Sequence, residues 1–166
     1  MADLKKIRAE VVWPAMQLLP VGMDSPKARV LLLAIALQES RFEHRRQLVG
    51  NPPKPTGPAK SFWQAEMGGG MVRGVRTHPK TFAIVQKLIQ ARGVANNDAA
   101  IWDAIEHDDV LACALARLLL FTDPQPLPEI GDVNGAWDTY VRVWRPGKPH
   151  RASWDALYAQ AVEAVK

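Results

Sequence analysis

The segment LLLAIALQESRF, residues 31–42, joins a run of seven apolar residues to a polar end. Ser25 and Pro26 precede it and form the pair that typically caps a helix and fills its first turn, so the sequence predicts a helix from residue 26 to about residue 43. A helix that is apolar around most of its circumference is normally buried at the centre of a domain. Glu39 therefore closes a buried helix, where it is either a solvated, idle carboxylate or one held partly out of water for chemistry.

A second segment, DDVLACALARLLLFT at residues 108–122, has the same apolar character. Three prolines follow it within a few residues and end it, because proline has no amide hydrogen to continue a helix. We expect these two apolar helices to lie at the centre of one mainly α-helical domain that covers residues 1–166. Amphipathic helices are predicted around them at residues 3–19, with a bend near Pro14, and at residues 77–92, 98–107, 132–145 and 153–165.

Three stretches do not fit the helical pattern. Residues 50–61, GNPPKPTGPAKS, hold four prolines and two glycines and are expected to form no regular element. Three consecutive glycines at residues 68–70 predict a second loop. Residues 71–76 are the only short strand candidate, so the sequence predicts no sheet of any size.

Composition limits the classes of protein to which this chain can belong. The 166 residues include one cysteine, 21 basic and 17 acidic side chains, with a formal net charge of +4. No apolar run approaches the roughly 20 residues of a membrane-spanning helix, and the charged N-terminal segment lacks the apolar core of a signal peptide. We therefore expect neither a membrane span nor a cleaved leader. The four histidines lie at no metal-ligand spacing, so we expect no metal and no cofactor.

The position of Glu39 suits acid catalysis. A carboxyl group that emerges from an apolar helix into a cleft is partly desolvated, which raises its pKa. Such a group keeps its proton near neutral pH and can donate it to the leaving oxygen of a glycosidic bond. The C-terminal end of a helix favours cations, so a carboxylate there is electrostatically misplaced, which favours a functional role.

Two later segments accompany the Glu39-Ser40-Arg41-Phe42 string. They are GPAKSFWQ at residues 57–64 and AWDTY at residues 136–140. In this order the three segments resemble the lysozyme-like superfamily, most closely the soluble lytic transglycosylases and related phage peptidoglycan-degrading proteins. Those proteins have Glu-Ser-x-Phe, then Gly-Leu-Met-Gln, then Ala-x-x-Ala-Tyr-Asn. This chain departs from them in its Phe-Trp-Gln, in Val141 after the tyrosine, and in a proline-rich insertion at residues 51–56.

The resemblance implies a lysozyme-like fold and cleavage of the β-1,4 bond between N-acetylmuramic acid and N-acetylglucosamine in peptidoglycan. It implies that Glu39 first acts as acid and then as base toward the C6 hydroxyl, giving a 1,6-anhydro product. A hydrolytic muramidase would usually need a second carboxylate, for which Glu66 and Glu43 are the near candidates. A chitinase-like glycosidase is a further alternative.

The resemblance also suggests roles for residues near Glu39. Ser40 is expected to hydrogen-bond either Glu39 or a substrate N-acetyl group, and Gln64 to bind sugar amides or hydroxyls. Tyr140 is expected to orient Glu39 or the substrate through its hydroxyl. The aromatic residues expected to contact the substrate are Phe62, Trp63 and Trp144.

The expected partner is the peptidoglycan glycan strand, reached in the periplasmic cell wall from a phage virion or from the host cytoplasm, with virion proteins as further partners. The alternative is a non-enzymatic basic helical module that binds nucleic acid or builds a virion. Two basic clusters, at residues 41–46 and 142–151, suit a solvated face, substrate carboxylates or nucleic-acid phosphates. The chain lacks a surface helix that interleaves aromatic and basic residues, which argues against nucleic acid.

Overall fold

The computed structural model describes residues 1–166 and is mainly α-helical, as predicted, with one small two-stranded sheet. The strands are β1 (Arg46–Val49) and β2 (Lys54–Lys60), and two π-helical turns occur at Arg8–Val12 and Gly70–Gly74. The α-helices are α1 (Leu4–Ile7), α2 (Trp13–Gln17), α3 (Pro26–Ser40), α4 (Val75–Thr77), α5 (Phe82–Ala91), α6 (Asp98–Ile105), α7 (Asp109–Thr122), α8 (Val133–Trp144) and α9 (Arg151–Val165).

Helices α3 and α7 form the centre of the core, which confirms the prediction of two buried helices. Every residue from Val30 to Leu37 is buried, and so is every residue from Leu111 to Leu120. The Ser25 hydroxyl accepts a hydrogen bond from the Ala28 amide at 3.1 Å and caps α3 as expected. Helix α3 ends at Ser40, slightly earlier than predicted, because the next two residues take left-handed backbone conformations.

The N-terminal helix is continuous from α1 through the π-helical turn into α2. Pro14 carries no amide hydrogen and its ring excludes a normal preceding turn, and the wider turn directly before it accommodates both effects. The predicted bend near Pro14 is thus a change of helical winding. None of the described helices has the length and apolar character that a membrane crossing requires.

The β-hairpin corrects the expectation that residues 50–61 form no regular element. Strand β2 pairs antiparallel with β1, with Arg46 opposite Lys60 and Val49 opposite Lys54. Prolines are tolerated here because a two-stranded sheet leaves one edge of each strand unpaired, where a missing amide hydrogen costs nothing. The proline-rich composition of residues 50–61 therefore hid strand β2.

Helix α6 holds the hairpin in place through one buried cation. The Lys60 ammonium lies 3.6 Å from the centre of the Trp102 ring and 3.1 Å from Asp103 Oδ1, and its side chain is almost fully buried. Trp102 Nε1 donates to the Pro58 carbonyl at 2.9 Å. Because β2 is held at both of these points, the hairpin is a fixed wall beside the end of α3.

Residues 71–76, the predicted strand candidate, are helical instead. Met71, Val72 and Val75 are buried, and their spacing is that of one helical face rather than of a strand. The helix predicted at residues 77–92 begins only at Phe82, because Thr77 ends α4 and Pro79 lies between α4 and α5.

The remaining helices begin within two residues of the predicted positions. Asn97 caps α6 by accepting from the Ala100 amide at 2.8 Å, and Asp108 caps α7 by accepting from the Leu111 amide at 3.0 Å. Helix α9 begins at Arg151, two residues before the predicted start at residue 153.

Replacement of Leu33 by alanine should lower the free energy of unfolding by about 2–5 kcal/mol, because this fully buried side chain fills the centre of the core. The matched control is Leu48→Ala on β1, where the residue is 45% exposed and the change should stay within about 0.5 kcal/mol. Urea denaturation followed by circular dichroism measures both. Equal losses in the two variants would contradict the central place of α3.

Candidate active site

Glu39 lies in the last turn of α3 and lines a polar cleft of about 460 Å³. Five other parts of the chain complete the cleft wall. They are the hairpin (Gln47, Ala59), the segment after it (Gln64–Glu66), the glycine loop with the residue after it (Gly69–Met71), Leu119 of α7, and residues between Tyr140 and His150. The carboxyl group that the sequence singled out is therefore at the one place where all these elements meet.

Tyr140 on α8 is the direct partner of Glu39. Its hydroxyl donates a hydrogen bond to Glu39 Oε1 at 2.6 Å. Burial raises the pKa of Glu39 above its ordinary value, and the hydrogen bond from Tyr140 lowers that pKa in part. The net effect is a carboxyl group that holds its proton more readily than a solvated glutamate does. Tyr140 therefore orients the acid, one of the two roles expected for it.

The Tyr140 hydroxyl remains a donor because its own pKa is raised well above the usual range. The causes are burial, the negative charge of Glu39 and the hydrogen bond to it. The ring stacks on Trp154 of α9, with centroids 5.3 Å apart and planes 9° apart. Trp154 is fully buried, and its Nε1 donates to the Val133 carbonyl at 3.1 Å. Tyr140 is thus held in place by packing against a buried tryptophan of α9.

The Ser40 hydroxyl makes no hydrogen bond to the Glu39 carboxyl group and is buried, which corrects the expectation of a bond to the acid or to substrate. Its hydroxyl is buried and lies 2.8 Å from the Phe62 carbonyl, to which it donates. The same oxygen accepts from the Phe42 amide at 3.2 Å. Ser40 therefore fastens the end of α3 to the segment that follows the hairpin.

Phe62 and Trp63 are core residues, which corrects their predicted contact with substrate. Trp63 has no exposed surface and Phe62 is 6% exposed, so neither ring can stack on a sugar. Trp63 Nε1 donates to the Leu32 carbonyl inside α3 at 3.0 Å, and the Phe62 ring meets Phe42 edge-on at 5.1 Å. The sequence identified the right segment, but these side chains anchor it and leave the next residue, Gln64, in the cleft.

Gln64 and Trp144 do lie in the cleft wall, and their substrate contacts stay predictions. Gln64 has a left-handed backbone, and its Nε2 donates to the Ser61 carbonyl at 2.8 Å, while Oε1 accepts no hydrogen bond from the protein. Trp144 is half-buried, and its Nε1 donates to the Trp63 carbonyl at 3.2 Å. Each is fixed through one atom and leaves the rest of its polar or aromatic surface beside the cavity.

The two candidates for a second acid are separated by the structure. Glu66 is exposed and lines the cleft, so it stays a candidate. Glu43 is exposed and lies outside the cleft lining. No group of three or more His, Cys, Asp or Glu side chains is arranged to hold a metal ion.

Gln38 also lines the Glu39 cleft, and it was not predicted from the sequence. Its Nε2 donates to the His150 carbonyl at 3.0 Å, and its Oε1 accepts from the Ser153 hydroxyl at 3.2 Å. It thereby attaches the segment after α8 to the helix that carries Glu39. A polar residue directly before the acid, at the end of an apolar run, was the available signal.

Comparison of the chain with protein-family models, with curated proteins and with solved structures found no match.

Replacement of Tyr140 by phenylalanine should raise the pKa of Glu39 further. The lost hydrogen bond stabilises the charged carboxylate, so without it the protonated form gains. A carbon-13 NMR titration of the labelled Glu39 carboxyl group measures the change. Tyr158→Phe is the control, because that hydroxyl accepts from the Gly131 amide and does not touch Glu39. An unchanged or lowered Glu39 pKa in Tyr140→Phe would contradict this assignment.

Proposed function

We propose that this protein cleaves the β-1,4 glycosidic bond between N-acetylmuramic acid and N-acetylglucosamine in peptidoglycan, as a lytic transglycosylase with a lysozyme-like fold. The observation that carries the proposal is the half-buried Glu39 carboxyl group, held by the Tyr140 hydroxyl at 2.6 Å in an open polar cleft. The order of the Glu-Ser, Gln and Tyr segments in the sequence supports the same assignment.

In the first step, protonated Glu39 donates its proton to the glycosidic oxygen while the bond from that oxygen to the muramoyl C1 breaks. The leaving sugar keeps the bonding electron pair as a hydroxyl group. Glu39 is now a carboxylate, which the Tyr140 hydrogen bond stabilises. The raised pKa of Glu39 favours the protonated form that this step requires.

In the second step, the Glu39 carboxylate removes the proton from the C6 hydroxyl of the same muramoyl unit. The C6 oxygen then bonds to C1, which closes a 1,6-anhydro ring and returns the proton to Glu39. One carboxyl group therefore serves both steps, and no second carboxylate is needed. The hydrolytic alternative depends on Glu66, which is the other carboxyl group in the cleft lining.

The shape of the site suits a polymer. A second cavity of about 630 Å³ adjoins the Glu39 cleft. The two share the wall formed by Gly69, Gly70, Leu119 and residues 143–145. The two adjoining cavities together offer room for a strand that extends on one side of the reacting bond. Phage-associated degradation of the cell wall is the setting that the sequence resemblance suggests.

Replacement of Glu39 by glutamine should reduce the clearing of purified cell walls by roughly 100-fold or more, since the variant can neither donate nor accept the transferred proton. The shape of the residue and its hydrogen bond from Tyr140 are retained, so the helical circular dichroism spectrum should not change. Turbidity loss of purified peptidoglycan is the measurement.

Glu66→Gln is the matched control and should keep most of the wild-type activity. Full clearing by Glu39→Gln would refute the assignment of the acid. Equal losses in both variants would indicate a two-carboxylate hydrolase. A wild-type protein that leaves walls intact but binds DNA with a steep salt dependence would favour the non-enzymatic module instead.

A further inference from the structure

We propose that the segment at residues 145–150 is a carboxylate-binding arm, through which the enzyme selects a glycan bearing acidic substituents over a neutral one. This inference rests on the proposed function and names its substrate class. Muramoyl units carry a lactyl group that ends in a free carboxylate or in a peptide with free carboxylates. A chitin-type glycan has the same β-1,4 linkage but carries no such groups.

Arg145 is unusual among the arginines of this protein. Eight arginines lie within 4.0 Å of a carboxylate oxygen: Arg29, Arg45, Arg46, Arg73, Arg76, Arg92, Arg142 and Arg151. Three others donate to backbone carbonyls: Arg8 to Ala164, Arg41 to Leu37 and Arg117 to Met23. The Arg145 guanidinium alone has no acceptor in the protein, and it lines the cleft that holds Glu39.

The chemistry around Arg145 favours an anionic ligand. Lys148 and His150 line the same cleft, and Lys148 is exposed and has no carboxylate partner. A guanidinium offers a planar fork of donors that matches the two oxygens of a carboxylate. An arginine and a lysine that the protein leaves unpaired at the mouth of a cleft are therefore available to the substrate.

The arm is held at both ends at a defined place relative to Glu39. At its start, Trp144 Nε1 donates to the Trp63 carbonyl at 3.2 Å. At its end, the His150 carbonyl accepts from Gln38, the residue directly before Glu39. A carboxylate bound by Arg145 would thus lie at a fixed distance from Glu39. Binding at the arm therefore positions the glycosidic bond relative to the Glu39 carboxyl group.

The test compares two forms of one polymer. Purified peptidoglycan, freed of other wall polymers and with its amines acetylated, is used with its carboxyl groups either free or converted to amides with ammonia. Wild-type enzyme should show a KM that is roughly threefold to tenfold lower on the free-carboxylate form, the range expected for one or two exposed charged contacts. The difference should shrink at high salt, because exposed charges are screened.

The variant Arg145→Gln with Lys148→Gln should raise KM on the free-carboxylate form by the same roughly threefold to tenfold and leave the amidated form unaffected. The control is Lys6→Gln with Lys87→Gln, which removes two exposed charges outside the cleft. Equal wild-type KM values on both polymers would overturn the inference, and so would an equal effect of the control variant. Activity on neither polymer would overturn the proposed function itself. The wild-type comparison uses no variant, so a folding defect in the arm variant leaves the test intact.

Discussion

The hydrogen bond from the Tyr140 hydroxyl to Glu39 Oε1, 2.6 Å long, is the interaction on which the rest of the site depends. It joins α3 to α8 across 101 residues of sequence and sets one carboxyl oxygen in a fixed direction. Burial favours the neutral acid and the hydrogen bond favours the carboxylate, so the two effects oppose each other. A group balanced in this way can exist in both protonation states, which is what a residue that first gives and then takes a proton requires.

The surrounding fold holds the two partners of this bond from independent directions. Glu39 sits at the end of a helix whose preceding residues are buried from Val30 to Leu37, and Tyr140 lies flat against the buried Trp154. Ser40 ties the end of α3 to the segment that carries Gln64. Precise placement of the acid therefore comes from apolar packing and from backbone hydrogen bonds, while the cleft itself stays open and polar.

The central helices and the partly buried position of Glu39 could be predicted from the sequence, because both depend on local patterns. An apolar run with a Ser-Pro start defines α3, and a carboxylate at its end is conspicuous. The β-hairpin was not predicted, because a proline-rich segment gives no local strand pattern and its pairing with β1 depends on the partner strand. The burial of Trp63 and the free guanidinium of Arg145 were also hidden, since side-chain exposure depends on which distant elements pack nearby. The pairing of Glu39 with Tyr140 came from the motif order rather than from any local pattern.

The central claim is that one carboxyl group, Glu39, serves as both acid and base. Mass spectrometry of the fragments released from purified peptidoglycan by the wild-type protein tests it most directly. The account predicts fragments that end in 1,6-anhydromuramic acid, because the C6 hydroxyl takes the place of water. Fragments with reducing ends would contradict it, since they require an activated water and a second catalytic group such as Glu66.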